Sequence, residues 1–344
     1  MNADVITDAK PLVSIVVPVY NSERYLPTLL QSLLDQTYRE LEIVCINDGS
    51  KDGSLGVLRE FASRDQRIVV VDKENSGAAS TRNAGIDRAS GSYLCFVDSD
   101  DFVVSTAVER LMQIALEHHT DAVIFDMENF DDETGETSPT NAVLKDFVPA
   151  GTVFRSTDID NFYKRVVGFT VNKLYRTAFL KEMNLTFPMV GAHEDMPFTY
   201  IALSAADRLF YLDETLYRYR RSREGSLSDR TNDDYRYMLD ALLAFRDGLR
   251  ERGLWDACER NYINYALHMC HWKHVVLGKF DRWAFSGDLR DRVFDLFEIS
   301  THHEDYFFDD DDWAFYERNA HPGVAFRVVT WGCFSLQRVR RMLS

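Results

Sequence analysis

The chain has 344 residues, 45% of them hydrophobic and 27% charged, with a formal net charge of -16. This length and apolar content exclude a disordered chain and suit one large domain with an appendage, or two domains. The negative charge excludes a general polyphosphate binder, whose affinity would rest on Lys and Arg, so no nucleic-acid partner is expected. The opening MNADVITDAKPLVS has no basic region ahead of an apolar stretch, and no apolar run of about 18 residues follows, so neither a signal peptide nor a membrane span is expected. Cys45, Cys95, Cys258, Cys270 and Cys333 are widely spaced without a C-x-x-C pair, which fits a reducing cytoplasm.

In chain order, residues 13–19 (VSIVVPV) read as a buried strand. Leu26, Leu29, Leu30, Leu33 and Leu34 then recur at helical spacing, with Pro27 tolerable only in a first turn. Strands are expected at 41–46, 68–71 and 93–97, and helices at 55–61 and 80–89. Such β-α alternation predicts an α/β fold, a mostly parallel central sheet covered on both faces. Thr106 and Glu109 have the spacing of a capping box, ahead of a helix with Val108, Leu111, Met112, Ala115 and Leu116 on one face. Residues 121–127 read as a further strand, and the polar, turn-rich stretch 131–151 as an exposed loop or hairpin. Helical spacing at 235–249 and 255–276 predicts a C-terminal helical region from 229 onward.

In open parallel sheets, ligands bind beyond the carboxyl ends of the strands. Four chemically loaded segments fall there: Pro18-Val19-Tyr20-Asn21, the loop from Asn47 to Gly53, the stretch 72–85, and Asp98-Ser99-Asp100-Asp101. In extended chain, an i, i+2 spacing turns Asp98 and Asp100 to one side. Two hard anionic oxygens can hold Mg²⁺ or Mn²⁺ and leave other positions for water and phosphate, whereas Asp101 can simply start a turn. Asp48 reads either as an Asx-type turn before Gly49 or as an acceptor for a nucleobase or ribose. Gly77 and the following helix start offer N–H groups, and Arg82 offers a fork of donors suited to diphosphate, or else an ordinary helix-surface charge.

Taken in order, P-V-Y-N, I-N-D-G-S-K-D-G, N-S-G-A-A-S-T-R-N-A-G and F-V-D-S-D-D resemble the family 2 glycosyltransferases of the GT-A (Rossmann-like) fold, particularly bacterial enzymes that build capsular, exopolysaccharide or lipopolysaccharide chains. The resemblance is dense over 11–105. It continues more loosely through N-K-L-Y-R (172–176), H-E-D-M-P-F (193–198) and Y-R-Y-R-R-S-R-E-G-S-L-S (217–228), covering about two thirds of the chain. It implies an inverting transferase using a nucleotide-sugar donor, a UDP-sugar by family frequency, and a divalent cation. Pro18, Tyr20, Asn21 and Asp48 would form the nucleoside pocket, with Gly77 and Arg82 near ribose or diphosphate. Asp98 would engage ribose and metal, and Asp100 would be the firmer metal ligand. Asp195, beside Glu194, would deprotonate the acceptor hydroxyl. His193, next to that pair, reads either as shaping the acceptor pocket or as an ordinary surface histidine. Where the family often writes D-D-G-S, Asn47-Asp48 leaves one carboxylate. Glu194-Asp195 also reads as a helix N-terminus with Pro197 in its first turn. Arg220 and Arg223, with Arg218 and Arg221, read either as a clamp on diphosphate or as a solvated basic loop.

The expected organisation is 1–105 as the nucleotide-sugar half, 106–228 as the acceptor half, and 229–344 as the helical region. Residues 321–344 hold Arg327, Arg338, Arg340 and Arg341 and no acid, in an otherwise acidic chain. Drawn as a helix, this segment is amphipathic, suited either to peripheral contact with the inner face of the plasma membrane, near a lipid-linked acceptor, or to docking on its own domain or on the other chain of a homodimer. The acids of 304–312 can answer those arginines. Two other function classes compete: nucleotidyl transfer, for which a Gly-rich loop after the first strand is missing, and a non-catalytic nucleotide-sugar-binding subunit, against which Asp195 and the intact D-S-D argue.

Overall fold

The first strand, β1 (Val13–Val19), has no charged residue and is buried along its length except at Pro18, as a strand covered by helices on both faces requires. The structure is a computed structural model that describes residues 10–221 and 234–321. β2 (Leu41–Asp48), β3 (Ile68–Lys73) and β4 (Tyr93–Phe96) join β1 in parallel. Between them run α1 (Leu26–Leu34), α2 (Ser54–Arg64) and α3 (Ala78–Arg88). Further along are β5 (Phe102–Val103), α4 (Ala107–His118), β6 (Ala122–Asp131), β7 (Thr137–Pro139), β8 (Val153–Phe154), α5 (Phe162–Arg165), β9 (Lys173–Arg176), α6 (Thr177–Glu182), α7 (Asp195–Ala205) and β10 (Leu209–Arg221).

The strands form one ten-stranded sheet in the order β3-β2-β1-β4-β9-β6-β10-β5, with β7 on β6 and β8 on β10. β6 and β10 are again parallel, while β9 is wedged antiparallel between β4 and β6. Register positions the site. The β1–β4 ladder stops at Val16↔Phe96, whereas β1–β2 continues to Val19↔Asn47. The chain leaving β4 therefore turns away beside the protruding tips of β1 and β2.

The expected elements of the first half are present, with local departures at β2 and at the start of α4. β2 runs two residues further than its apolar pattern, because Asn47 and Asp48 pair in register with Asp72 and Lys73. The 131–151 stretch, expected as an exposed loop or hairpin, opens as a hairpin, with Phe130 opposite Thr137. The capping box at Thr106 does not form: Thr106 makes no side-chain cap, and Glu109 accepts from the Thr37 hydroxyl at 2.9 Å. The fully buried Gln36 takes over instead, its Oε1 accepting from the Val108 N–H at 3.0 Å while its Nε2 donates to Val104 O at 2.7 Å. Pro27 does lie in the first turn of α1, and Leu26, Leu29, Leu30 and Leu33 face the core.

Helix α3 lies close against β1. A Cβ added at Gly85 would sit 2.2 Å from Cγ1 of the fully buried Val16. Gly85→Ala is expected to cost about 1–3 kcal/mol through overpacking, since neither the helix nor the strand can retreat; a urea titration against wild type measures it, and an unchanged midpoint would contradict this close approach.

The chain divides into two compact units, residues 1–230 with 236–258, and residues 231–235 with 259–344. In the first, Phe245 of the helix Tyr235–Glu251 packs against Tyr163 and Tyr200 at ring distances of 4.9 and 5.3 Å. In the second, the helix Asp310–Ala320 packs through Phe315 on His271 and Phe294. Here the acids of 304–312 have local work: Asp309 caps that helix by accepting from the N–H groups of Asp311 and Asp312. The buried Asp312 carboxylate bonds Nδ1 of His268 and of His271 at 3.0 and 2.7 Å. Among the described residues no helix is long and apolar enough to cross a membrane. The basic segment 321–344 lies, apart from His321, outside the described residues.

Candidate active site

The four loaded segments meet on one rim, at the carboxyl ends of β1 to β4. At the tip of β1, Pro18 is half-buried, Tyr20 is exposed, and Asn21 has a positive φ of 50°. Asn21 Oδ1 accepts from Lys51 N at 2.7 Å, fastening the β1 tip to the loop after β2. Ser22 continues the seam, its Oγ 2.6 Å from Ser99 Oγ.

Asp48 is almost fully buried and engaged on several sides. It pairs with Lys73 and accepts from the N–H groups of Ser76 and Gly77, both at 2.9 Å. Burial would raise its pKa, but these donors outweigh burial and hold the carboxyl below its ordinary value. Gly77, the N-cap of α3 at φ 88°, directs its N–H to Asp48. Asp48 thus locks the loop that launches α3, the helix bearing Arg82.

Arg82 is the centre of the arrangement. Only 8% exposed, it donates from Nη2 to Asp98 Oδ1 at 3.0 Å and from Nη1 to Glu194 Oε1 at 2.6 Å. Its guanidinium lies over Phe187, 5.5 Å from the ring centroid. Phe187 in turn stacks on Phe198 at 3.9 Å, with Phe96 edge-on to both. Asn83 pairs reciprocally with the Phe187 backbone at 2.8 and 2.9 Å. Burial disfavours the charged guanidinium, but the anions Asp98, Glu194 and Asp195 more than compensate and raise its pKa. Two carboxylates nearly a hundred residues apart are thereby drawn to one cation.

The acids after β4 differ in role. Asp98, with about 29% of its side chain exposed, takes Arg82. Asp100 contributes its carbonyl to Arg220 Nε at 2.7 Å. Asp101 is buried, accepts from Tyr217 Oη at 2.6 Å and Arg220 N at 2.8 Å, and latches the turn to β10. Burial, with Asp100 and Asp98 nearby, pushes its pKa well up. Arg220 itself is bracketed by Asp132 and by the rings of Tyr25, Phe102 and Phe130, so it fastens the acidic turn. Arg223 lies outside the described residues.

At α7, Glu194 is the N-cap and Asp195 the first helical residue, with Pro197 following inside the first turn. His193 precedes them at φ 62°, and its carbonyl accepts from Met196 N at 3.2 Å. Asp195 is half-buried, and burial first, then the neighbouring Glu194, raise its pKa to about 7, against the lowering influence of Arg82. Sequence reasoning passed over Lys173, a fully buried lysine whose charge is felt at Asp195. The signal was present: a lysine directly before the strand-like L-Y pair of N-K-L-Y-R.

Residues 14–183 match the model of glycosyl transferase family 2. EpsH of Bacillus subtilis is 34% identical over 218 residues, 61% of each chain, so the present chain spans about three fifths of that relative. The glycosyltransferase GlyG of Streptococcus pneumoniae is 30% identical over 239 residues, 68% of this chain and 78% of GlyG. Among solved structures, TarS residues 1–349 of Staphylococcus aureus, crystallised with UDP-GlcNAc, superposes with a TM-score of 0.58 at 23% identity, covering 84% of this chain and 90% of that one. The chain belongs to glycosyl transferase family 2 and has the GT-A-like fold of its members.

Proposed function

We propose that this protein is an inverting glycosyltransferase that moves a sugar from a nucleotide-sugar donor, a UDP-sugar, to a hydroxyl of a lipid-linked carbohydrate acceptor in cell-surface polysaccharide synthesis at the cytoplasmic face of the membrane. One observation carries the reading: Arg82 ties Asp98 of the strand-end rim to Glu194, so the D-S-D turn and the E-D pair border one site. In this reading 1–105 supplies the donor half, 106–228 the acceptor half, and the segment 321–344 the membrane contact.

A sugar hydroxyl is a poor nucleophile and needs its proton removed as it attacks. Asp195 supports that role because a carboxyl near pKa 7 is a base matched to neutral pH. The acceptor oxygen forms its bond to the anomeric carbon as the bond to the nucleoside diphosphate breaks, and the hydroxyl proton passes to Asp195. A single displacement of this kind inverts the anomeric centre. Tyr20, Asn21 and the Asp48 loop border the place proposed for the nucleoside, and Arg82 holds Asp98 and Glu194 in position around it.

The donor set fits a divalent cation. Asp98 and Asp100 are hard oxygen ligands on one turn, and Mg²⁺ is commonly held by one or two carboxylates, with water and substrate phosphate completing the shell. Among the described residues no group of three or more His, Cys, Asp or Glu could hold a metal by itself, and a site completed by phosphate needs none. Bound there, Mn²⁺ or Mg²⁺ would supply positive charge to the departing diphosphate.

The test is a panel of nucleotide sugars monitored for nucleoside diphosphate release with and without saccharide acceptors. Acceptor-stimulated release from one donor class is expected, and no release from any donor would overturn the reading. Calorimetry with UDP examines the cation separately. Mn²⁺ is expected to tighten UDP binding by about tenfold or more in wild type and to lose that effect in Asp100→Ala; equal enhancement in both proteins would remove Asp100 from the metal site.

A further inference from the structure

β9 begins with a lysine that has no exposed surface. The Lys173 ammonium lies 2.9 Å from Val167 O, 2.5 Å from Phe169 O and 2.6 Å from Asn172 Oδ1. Three oxygen acceptors match the three N–H bonds of an ammonium, whereas a neutral amine has only two to give. Burial draws the pKa down to about 7 and the charge of Asp195 opposes that fall. The acceptor geometry favours the charged form, since a buried cation is tolerable only when fully hydrogen-bonded.

The two clamped carbonyls flank Gly168, which is buried against α7. A Cβ there would stand 3.3 Å from Met196 Cα and 3.0 Å from Tyr200 Cζ. Met196 immediately follows Asp195. Tyr200 cannot easily yield, because its hydroxyl donates to Tyr163 O at 2.7 Å and its ring packs between Tyr163 and Phe245. A continuous line of contact therefore runs from the Lys173 ammonium through the 167–169 backbone to the first turn of α7.

We infer that Lys173 is a positioning residue for sugar transfer: by clamping the carbonyls on both sides of Gly168 it braces the first turn of α7 and fixes the placement and ionisation of the Asp195 carboxylate. The inference rests on the reading of Asp195 as the base. The groups that face Asp195 are Glu194 on α7, Arg82 on α3, Asp98 beyond β4, and Lys173 and Tyr175 on β9. Arg82 and Lys173 favour its ionised form, and Glu194 and Asp98 oppose it. Arg82 already pairs with two other carboxylates, and Lys173 is a further cation coupled to Asp195 by charge.

The experiment compares full-length wild type, Lys173→Met, Gly168→Ala and Asp195→Asn in nucleoside diphosphate release across pH 5 to about 9, with UDP calorimetry and thermal melting on each. Lys173→Met keeps length and removes charge. It is expected to lower kcat by about 10–100-fold, as a misplaced catalytic group does, with donor KM within about twofold. The acid limb of its kcat/KM profile is expected to move to higher pH, because a neighbouring positive charge is gone; a merely structural lysine would not move it. Gly168→Ala keeps the charge and pushes the brace outward, so kcat falls by a smaller factor, about threefold to tenfold, with the limb in place. Wild-type kcat and an unmoved limb in Lys173→Met, alongside an inactive Asp195→Asn, overturn the inference alone. Undiminished turnover in Asp195→Asn overturns the underlying reading. Should Lys173→Met fail to melt cooperatively or bind UDP, Gly168→Ala decides, and wild-type kcat there rejects the brace.

Discussion

Asp195→Asn is expected to lower turnover by about a thousandfold while leaving UDP affinity within about twofold, if the proposed general base is lost from an otherwise intact site. The pH profile carries the same information. Because burial and Glu194 raise the Asp195 carboxyl to about 7, its ionised form is lost as pH falls below that value. Wild-type kcat/KM should therefore drop about tenfold per unit on the acid side of 7 and level off above it. Stability runs the other way. The folded protein holds this proton more tightly than the unfolded chain, whose carboxyl titrates near 3.8, so stability contributed by the protonated form is lost as pH rises from there to about 7. Asp195→Asn should accordingly melt higher than wild type at pH 8 and nearly the same at pH 4, to be read by differential scanning calorimetry. A variant that keeps both turnover and melting point at pH 8 would show that Asp195 is neither strained nor used.

The second large effect concerns Arg82. Arg82→Leu removes the one guanidinium shared by Asp98 and Glu194 and leaves those acids with Asp195 as mutually repelling, partly desolvated charges. Breaking a buried pair by deleting one partner costs about 3–5 kcal/mol, and part of the loss at pH 7 should be relieved at pH 5, where the Asp195 carboxyl, raised to about 7, carries its proton and no longer adds to the repulsion. Arg82→Lys should recover only part of it, because a single ammonium cannot reproduce the two-pronged contact. Chemical denaturation at pH 7 and pH 5 measures both variants. A loss under about 0.5 kcal/mol, typical of an exposed pair, would contradict the buried, bridging role.

Much of this arrangement can be read in the sequence, and most of the rest depends on contacts between distant residues. β1 to β4 and α1 to α4 announce themselves through local periodicity, and the rule that ligands gather at strand ends then collects Asn21, Asp48 and Asp98 on one rim. β9 does not announce itself. It is four residues long with Lys173 and Arg176 at its two ends, so alternation is masked, and its place between β4 and β6 depends on pairings about 80 and 50 residues distant. Local reasoning also misjudged Thr106, because a side chain from the loop after α1, Gln36, met the helix start first. Asp48 and Asp101 read equally as ligands or as turn residues; only the contacts of Lys73, Ser76, Gly77, Tyr217 and Arg220 reveal how much of their bonding capacity is internal. Lys173 escaped notice because a lysine is normally taken for surface.

The strap between Arg82 and Glu194 also has a meaning in time. A ribosome releases the chain from its N-terminus, so β1 to β4 emerge well before residue 194 does. Throughout that interval Arg82 can have Asp98 but not its second anion, and Phe187, the ring beneath it, is still unmade. The nascent β1–β4 half therefore carries an incompletely matched charge at Arg82 until α7 arrives, and Glu194 then ties that helix to the strand-end rim.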